Sequence, residues 1–195
     1  MRKISLCMFA SLVLLTACNP PDVKHYTPPS FTKLAPFNMD VASVNITEEY
    51  KTSSQAPHVE GLFQTTPTEG VRIWMRDRVH AVGGGRTLTV IIKDASVTET
   101  KIPPSTSTGT FLHEEGSRYD AHIEVELRIY AENKPISEAS IDVSATRSDT
   151  LGGRASAADR EKLFDEMERN LLNSLNGELE KNFYRYFSNY IRYTS

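Results

Sequence analysis

The fold is decided by residues 119–129, which read Tyr119-Asp120-Ala121-His122-Ile123-Glu124-Val125-Glu126-Leu127-Arg128-Ile129, with an apolar residue at every second position. Successive side chains of a β-strand point to opposite faces of a sheet. The alternation therefore predicts a strand with one buried face and one solvated face. This one-sided polarity is typical of an antiparallel sheet that covers a core on a single side.

Two flanking segments alternate in the same way and predict further strands. The apolar positions are Leu88, Val90 and Ile92 in a strand over about residues 87–98, and Ile141, Val143 and Ala145 in a later one. Asn133-Lys134-Pro135 is a turn-forming sequence between the central strand and the later one, so these two strands are predicted to form a hairpin. The polar residues 103–109 predict a loop before the central strand.

An earlier strand and a first helix are predicted upstream. Phe37, Met39 and Val41 begin the strand, and apolar residues continue it to about residue 46. The sequence Thr66-Pro67-Thr68-Glu69 has the N-cap, first-turn proline and acidic third position of a helix start. Apolar residues at helical spacing then predict about four turns, ending at Gly83-Gly84-Gly85; they are Val71, Trp74, Met75, Val79 and Val82.

A long helix is predicted at the C-terminal end, opened by a capping box from Ser156 to Asp159. An apolar residue then recurs every four positions, at Leu163, Met167, Leu171, Leu175, Leu179, Phe183, Phe187 and Ile191. An α-helix turns once in 3.6 residues, so this stripe rotates by about 40° at each step and cannot stay on one flat sheet face. Either the helix bends near Asn176-Gly177, or its distal part faces something other than the sheet.

Aromatic residues concentrate in that distal part, together with Lys181, Arg185 and Arg192. One interpretation is packing against the strand edge or the N-terminal linker. The other is a partner-binding or membrane-interface patch, since aromatics mixed with cations suit both settings. The residues of this candidate patch are Phe183, Tyr186, Phe187 and Tyr190.

The order strand, helix, three strands, helix predicts an α+β fold. Its sheet would be four-stranded and largely antiparallel, with both helices on one face. The predicted periplasmic domain covers residues 37–195.

The first eighteen residues predict export and lipid attachment. Arg2 and Lys3 precede an apolar run from Ile4 to Leu14, which is shorter than the roughly 18 residues of a membrane span. Leu15-Thr16-Ala17-Cys18 follows and resembles the bacterial lipobox. The resemblance implies removal of the signal peptide 1–17 by cleavage between Ala17 and Cys18, and acylation of Cys18. The alternatives are an ordinary secretory peptide and a single transmembrane helix.

The linker and the charge fit a tethered exported domain. Residues 18–36 include five prolines, which favour an extended spacer. Loss of Arg2 and Lys3 lowers Lys+Arg from 22 to 20 against 25 Asp+Glu, so the formal charge changes from −3 to −5 and argues against nucleic acid as a partner. Cys18 would be the only cysteine left, which excludes a disulfide or cysteine metal site within one chain.

The lipobox, the element order over residues 37–192 and the opening of the long helix at residues 156–161 are similar to small outer-membrane lipoproteins. These are the lipopolysaccharide-assembly lipoprotein and the auxiliary lipoproteins of ABC-type lipid transport. Among such proteins, aspartate after the acylated cysteine tends to retain the protein in the inner membrane. Asn19 stands there instead, so the resemblance implies an outer-membrane, periplasm-facing location.

The resemblance implies a non-enzymatic accessory in envelope assembly or in transport of lipid or lipopolysaccharide. Its partners would be a β-barrel or transport component, the membrane, and lipopolysaccharide or phospholipid. A second hypothesis is a structural lipoprotein that braces another envelope complex and has no lipid substrate. A third is an unrecognised hydrolase.

Catalytic motifs are not evident in the sequence. The segment 113–117, His-Glu-Glu-Gly-Ser, lacks the second histidine of a zinc protease. Gly83-Gly84-Gly85 follows a predicted helix instead of opening one, which does not suit a phosphate loop. No Gly-x-Ser-x-Gly elbow occurs. We therefore expect neither enzymatic activity nor a metal or other cofactor.

Arg72 and Arg76 are a candidate contact for an anionic lipid. They lie four residues apart, on one side of the predicted first helix, and arginine guanidinium groups match phosphate oxygens well. The alternative is solvated helix charge that is partly paired with Asp77.

Overall fold

The computed structural model describes residues 26–104 and 115–193. Its elements, in chain order, are β1 (Phe37–Met39), β2 (Ser43–Glu48), α1 (Pro67–Arg78), β3 (Val79–Ala81), β4 (Arg86–Ile102), β5 (Gly116–Ala131), β6 (Ala139–Gly152) and α2 (Ala157–Tyr186). Two 3-10 turns lie at Glu60–Leu62 and Ser188–Tyr190.

The main sheet has the strand order β2-β4-β5-β6. β5 lies antiparallel to both neighbours, and its register with β6 runs unbroken from Gly116 opposite Gly152 to Ile129 opposite Ala139. β2 is parallel to β4, because the connection through α1 returns the chain to the same end of the sheet. The predicted α+β fold is therefore confirmed, with a mixed sheet.

One predicted strand is two strands in the structure. The chain turns at residues 40–42, where the amide of Val41 donates to the carbonyl of Met39 at 2.8 Å. β1 before the turn pairs in parallel with β3, whereas β2 after it joins the main sheet. The Asp40 carboxylate at the turn accepts hydrogen bonds from Arg86 and Arg192, and these hold the break in place.

Helix α1 begins as predicted and ends early. The Thr66 hydroxyl accepts from the amide of Glu69 at 3.3 Å, and Pro67 is the first helical residue. The predicted extension to Gly83 is wrong, because residues 79–81 leave the helix to form β3 beside β1. Gly84 lies beyond, at φ +102°, and a Cβ there would be 2.8 Å from the Asp40 carbonyl oxygen.

Helix α2 is continuous over 30 residues, including Asn176 and Gly177. Its capping box is complete: the Ser156 hydroxyl accepts from the amide of Asp159 at 3.2 Å, and the Asp159 carboxylate accepts from the amide of Ser156 at 2.8 Å. The stripe is buried from Met167 to Phe183. Its first part covers β6 and β5, and its distal part packs against β1 and α1.

The predicted linker is only partly separate from the domain. Residues 26–36 lie on the helices: Phe31 is buried, its amide donates to Asp77 at 2.9 Å, and the carbonyl of Ala35 accepts from Arg78 at 3.0 Å. The predicted domain boundary at residue 37 is therefore too late. Residues 18–25 of the linker lie outside the described part of the chain.

The C-terminal residues close the domain against its start. The amide of Asp40 donates to the carbonyl of Tyr190, and the amide of Arg192 donates to the carbonyl of Asn38, both at 2.7 Å. Arg192 also binds the Asp40 carboxylate, across 152 positions of sequence. These contacts join the two sequence extremes of the described domain.

Candidate functional site

The predicted cleavage and acylation site, Ala17 and Cys18, lies outside the described residues, as does the apolar run before it. Both stay predictions from the sequence. Within residues 26–104 and 115–193, neither helix has a stretch long and apolar enough to cross a membrane.

Arg72 and Arg76 do not form a common phosphate cradle. The Nε atom of Arg72 donates to the carboxylate of Glu48 at the end of β2, at 2.9 Å. The Nε atom of Arg76 donates to Asp77 at 3.0 Å. Each guanidinium already has a carboxylate partner that would compete with a phosphate, so the geometry matches the alternative of paired helix charge.

The four residues of the predicted aromatic patch do not form one exposed surface, so this prediction is wrong. Phe183 and Phe187 are 0% exposed, because the Phe183 ring packs 4.6 Å from Phe37 and 5.3 Å from Phe187, centroid to centroid. Tyr190 is partly buried, and its ring lies 5.4 Å from the Arg86 guanidinium. The large aromatics that are exposed at this end are Tyr184, Tyr186 and Tyr193.

Arg78 closes the aromatic end of the molecule, whereas its sequence position indicated only a further cation near Arg72 and Arg76. It is 1% exposed, with its guanidinium 4.9 Å from the Phe37 ring and 2.7 Å from the amide oxygen of Asn176. Glu180 lies 3.4 Å away and supplies the opposite charge. The same Asn176 oxygen accepts from the Trp74 indole at 2.8 Å. The distal half of α2 is thus fixed to α1 by both rings and polar contacts.

In the described part of the chain, the opposite end of α2 carries a groove. A cavity of about 310 Å³ lies between the first turns of the helix and residues 62–64. Its helical lining has the spacing of a single helix face. The lining residues are Leu62, Gln64, Ala157, Arg160, Glu161, Phe164 and Asp165. We call this cavity the Leu62 groove.

The Leu62 groove combines an apolar floor with a charged rim. Phe164 forms the floor, with its ring 4.6 Å from Phe63 and 5.1 Å from Tyr119. Leu62 is 62% exposed at the entrance. Arg160 has no ion pair or hydrogen bond with the described side chains, and burial, together with nearby Glu161, raises the pKa of the Asp165 carboxyl. The rim therefore carries both signs of charge.

Arg160 also borders a second cavity, of about 280 Å³, at the end of the sheet. Lys101 lines that cavity and donates to Glu99 at 2.6 Å and to Ser117 at 3.0 Å. The two cavities give this end of the molecule two cationic side chains next to exposed apolar surface.

The N-terminal segment is fastened beside the Leu62 groove. The Tyr26 hydroxyl donates to the Glu168 carboxylate at 2.9 Å and also contacts the Thr65 hydroxyl. Glu168 is 5% exposed, and its Oε2 atom has no hydrogen-bond partner in the described part of the chain. Burial raises the pKa of Glu168, and burial raises that of Tyr26 to about 12. We call these three residues the Tyr26 clasp.

A second buried glutamate is fully bonded and behaves in the opposite way. Glu60 is 0% exposed and accepts from the Tyr50 hydroxyl at 2.6 Å and from the Ser53 amide at 2.9 Å. Although burial acts to raise its pKa, these bonds hold the pKa below its usual value. Glu60 thus fixes the connection before α1, whereas Glu168 retains an unused acceptor.

Sequence reasoning missed the Leu62 groove and the Tyr26 clasp. One signal was present: Glu168 follows Met167 and lies four residues after Phe164, so it interrupts the apolar face of the long helix. A glutamate in that position must either find a partner or remain buried without one. The partner, Tyr26, is 142 residues away and could not be identified from the spacing.

No protein-family model and no curated protein matches the chain. Solved structures that are similar include rare lipoprotein B from Shewanella oneidensis, with 13% identity, a TM-score of 0.35, and coverage of 73% of this chain and 97% of the other. A minor lipoprotein from Acinetobacter baumannii has 9% identity, a TM-score of 0.39, and coverage of 77% and 96%.

A homolog of the neuraminyllactose-binding hemagglutinin from Helicobacter pylori has 9% identity, a TM-score of 0.40, and coverage of 83% and 95%. At these identities and TM-scores, the likenesses carry no argument about the function of this chain.

Proposed function

We propose that this chain is a bacterial lipoprotein, acylated at Cys18, whose periplasm-facing domain is a non-enzymatic accessory in envelope assembly or lipid transport at the outer membrane. The observation that carries the proposal is the lipobox sequence Leu15-Thr16-Ala17-Cys18 directly after a short apolar run. Multiple acyl chains give a stable anchor where a single one binds only marginally.

The Leu62 groove supports a lipid-handling role. An amphiphile such as a phospholipid or lipopolysaccharide has an apolar tail beside a charged headgroup, and the groove has an apolar floor beside Arg160, Glu161 and Asp165. Ligand sites are typically concave and apolar, with a few polar groups that orient the ligand. Arg160 is the group best suited to a phosphate, because it has no ion pair with the described carboxylates.

The exposed aromatics support a protein partner. Tyr184, Tyr186 and Tyr193 are about half or more exposed at the closed end of α2, and the Arg185 guanidinium lies 5.1 Å from the Tyr186 ring. Tyrosine and arginine are enriched at protein interfaces. A β-barrel or transport component of the envelope is the partner we propose for this surface.

The second candidate function is a structural lipoprotein that braces an envelope complex without a lipid substrate. The pairing of Arg72 with Glu48 and of Arg76 with Asp77 favours it, because these cations are already neutralised. Both candidates share the Cys18 anchor and differ only in the ligand.

The anchor is tested by labelling cells with an alkyne analogue of palmitate. We expect label on the native chain and on Cys7→Ala, whose altered residue is removed with the signal peptide, and none on Cys18→Ala. Label that persists in Cys18→Ala would contradict the proposed attachment site. Crosslinking in cells, comparing the native chain with a Tyr184→Ala/Tyr186→Ala/Tyr193→Ala variant, then tests the partner surface without removing core residues.

The two functions are separated by binding of purified lipopolysaccharide and phospholipid at several salt concentrations. Salt-sensitive binding that is lost in Arg160→Gln supports a lipid ligand in the Leu62 groove. Loss in Arg72→Ala/Arg76→Ala instead supports the helix site that the sequence suggested. Absence of binding by the native chain supports the bracing role.

A further inference from the structure

We infer that the Leu62 groove end of the domain rests on the headgroup layer of the membrane that holds Cys18, with Leu62 entering that layer. The inference rests on the proposed acylation of Cys18 and goes beyond it, because it assigns which surface of the domain contacts the lipid.

The N-terminal segment, residues 26–37, has a defined direction along the two helices. Tyr26 is fixed at Glu168, Phe31 lies at Asp77 near the end of α1, and Phe37 packs on Phe183. The chain therefore runs along the helices toward the closed, aromatic end as residue numbers rise. Tyr26, where the described part of this segment begins, is therefore its point nearest the first turns of α2 and the Leu62 groove.

The length of the tether, which we define as the chain from Cys18 to Tyr26, limits which end of the domain can contact the membrane. Eight Cα-to-Cα steps separate Cys18 from Tyr26, and a fully extended chain spans at most about 29 Å over that length. From Glu168 to Tyr186 the helix rises about 27 Å, whereas from Glu168 back to Ala157 it rises about 17 Å. Contact of the closed end with the membrane would require a tether at almost its full extension. Contact of the groove end would require little more than half of that length.

The surface of the groove end combines exposed apolar and charged side chains. Among the described residues of this end, Leu62 is the most exposed large apolar one, at 62%. Thr65 of the Tyr26 clasp is adjacent in sequence to Gln64 of the groove lining, so Leu62 lies close to the point where the tether leaves the domain. The rim has Arg160 for lipid phosphate and Glu161 and Asp165 for an ammonium group, which together suit zwitterionic headgroups.

The test uses the acylated full chain, purified from cells and reconstituted in vesicles of phosphatidylethanolamine and phosphatidylglycerol. Leu62→Cys carries an environment-sensitive fluorophore, and Tyr186→Cys, half exposed at the other end of α2, is the matched control. Acylated Cys18 offers no free thiol, so each variant has one thiol to label. We expect a shift of emission to shorter wavelength and reduced iodide quenching at position 62, with neither effect at position 186.

A third variant adds Tyr26→Ala to Leu62→Cys. With the clasp lost, the nearest buried anchor is Phe31, and the tether reaches about 47 Å. We expect the emission shift at position 62 to diminish, while thermal unfolding confirms that the domain remains folded. A shift that is unchanged in this variant would overturn the role of the tether.

Other outcomes are decisive as well. Equal protection at positions 62 and 186 would mean that the domain lies along α2 on the membrane, and no protection at position 62 would mean that the groove faces away; either overturns the inference. More than one free thiol per chain, with no flotation of the protein with vesicles, would show that Cys18 is not acylated. That result overturns the proposed function too and is recognised by the thiol count alone.

Discussion

The two ends of helix α2 are built differently. Around Phe183 and Phe187, aromatic rings pack at centroid distances of 4.6–5.7 Å, and Arg78 is buried among them with hydrogen bonds to two partners. Around Phe164, the helix leaves a cavity of about 310 Å³, an exposed Leu62, and a buried Glu168 with an unused oxygen. The aromatic end is the more closely packed of the two, although a smaller cavity of about 180 Å³ lies beside Phe37 and Tyr184 at its surface. We call it the sealed end, and the end with the Leu62 groove the open end.

Along this one helix, the sealed end contributes mainly to stability, whereas the open end is suited to binding. Close packing with satisfied polar groups contributes most to the free energy of unfolding, whereas open cavities and unsatisfied groups cost stability and persist where a ligand or surface can use them. The sealed end should therefore be sensitive to core substitution. The open end should tolerate it and respond to pH and to lipid.

The largest expected effect is at the sealed end. Phe183→Ala should lower the free energy of unfolding by about 3–5 kcal/mol, because it leaves a cavity among three rings. Phe164→Ala should cost less than about 3 kcal/mol, since its ring already borders an open cavity. Urea unfolding followed by Trp74 fluorescence and by circular dichroism measures both. Equal losses would contradict the comparison.

Arg78→Met comes next, with an expected loss of about 1–3 kcal/mol. The substitution removes the donors to the carbonyl of Ala35 and to Asn176, and leaves the carbonyl without that partner. Arg76→Met, two positions away and exposed, is the control and should change the stability by less than about 1 kcal/mol. The same urea titration reports both. A neutral Arg78→Met would show that the sealed end depends on ring packing alone.

At the open end, Glu168→Gln should stabilise the protein at alkaline pH by about 1 kcal/mol, because an unsatisfied charged acceptor is removed. Burial raises the pKa of Glu168 in the folded state above its ordinary value of 4.5. The contribution of the neutral carboxyl to folding stability is therefore fully present below pH 4.5 and is lost as the pH rises through the pKa of the folded state. The midpoint temperature of thermal unfolding should therefore fall more steeply between pH 4.5 and 8 for the native chain than for Glu168→Gln. Parallel curves would mean that ionisation of the buried Glu168 does not destabilise the folded protein.

The smallest expected effect is that of Arg160→Gln. This exposed side chain has no ion pair in the described residues, so the stability should change by no more than about 0.5 kcal/mol. Differential scanning calorimetry measures the change. A loss as large as that of Arg78→Met would place Arg160 in the structural framework and remove the contrast between the two ends.

Local patterns predicted the central part of this fold well. The alternation in residues 119–129 identified β5, the turn at Asn133 identified the hairpin, and Ser156 with Asp159 identified the start of α2. In each case the determining residues are close in sequence, so their periodicity or spacing contains the information.

The errors came from long-range contacts. The break between β1 and β2 depends on Asp40, whose arginine partners are 46 and 152 positions away. By spacing alone, Phe183 and Phe187 are compatible with a surface or a core. In the structure the distant rings of Phe37 and Trp74 pack on Phe183, which in turn packs on Phe187. The Leu62 groove is a gap between elements, and no local pattern encodes a gap.

The contacts of Arg192 and Tyr190 with the start of the domain affect how the protein can be made. Contacts of such high sequence separation form slowly, because a long chain must be closed before they contribute. β1 cannot complete these bonds until the residues up to Arg192 are available to it. During that interval Phe37 and its neighbours lack their final cover, so the partly folded chain exposes apolar surface that favours proteolysis and aggregation.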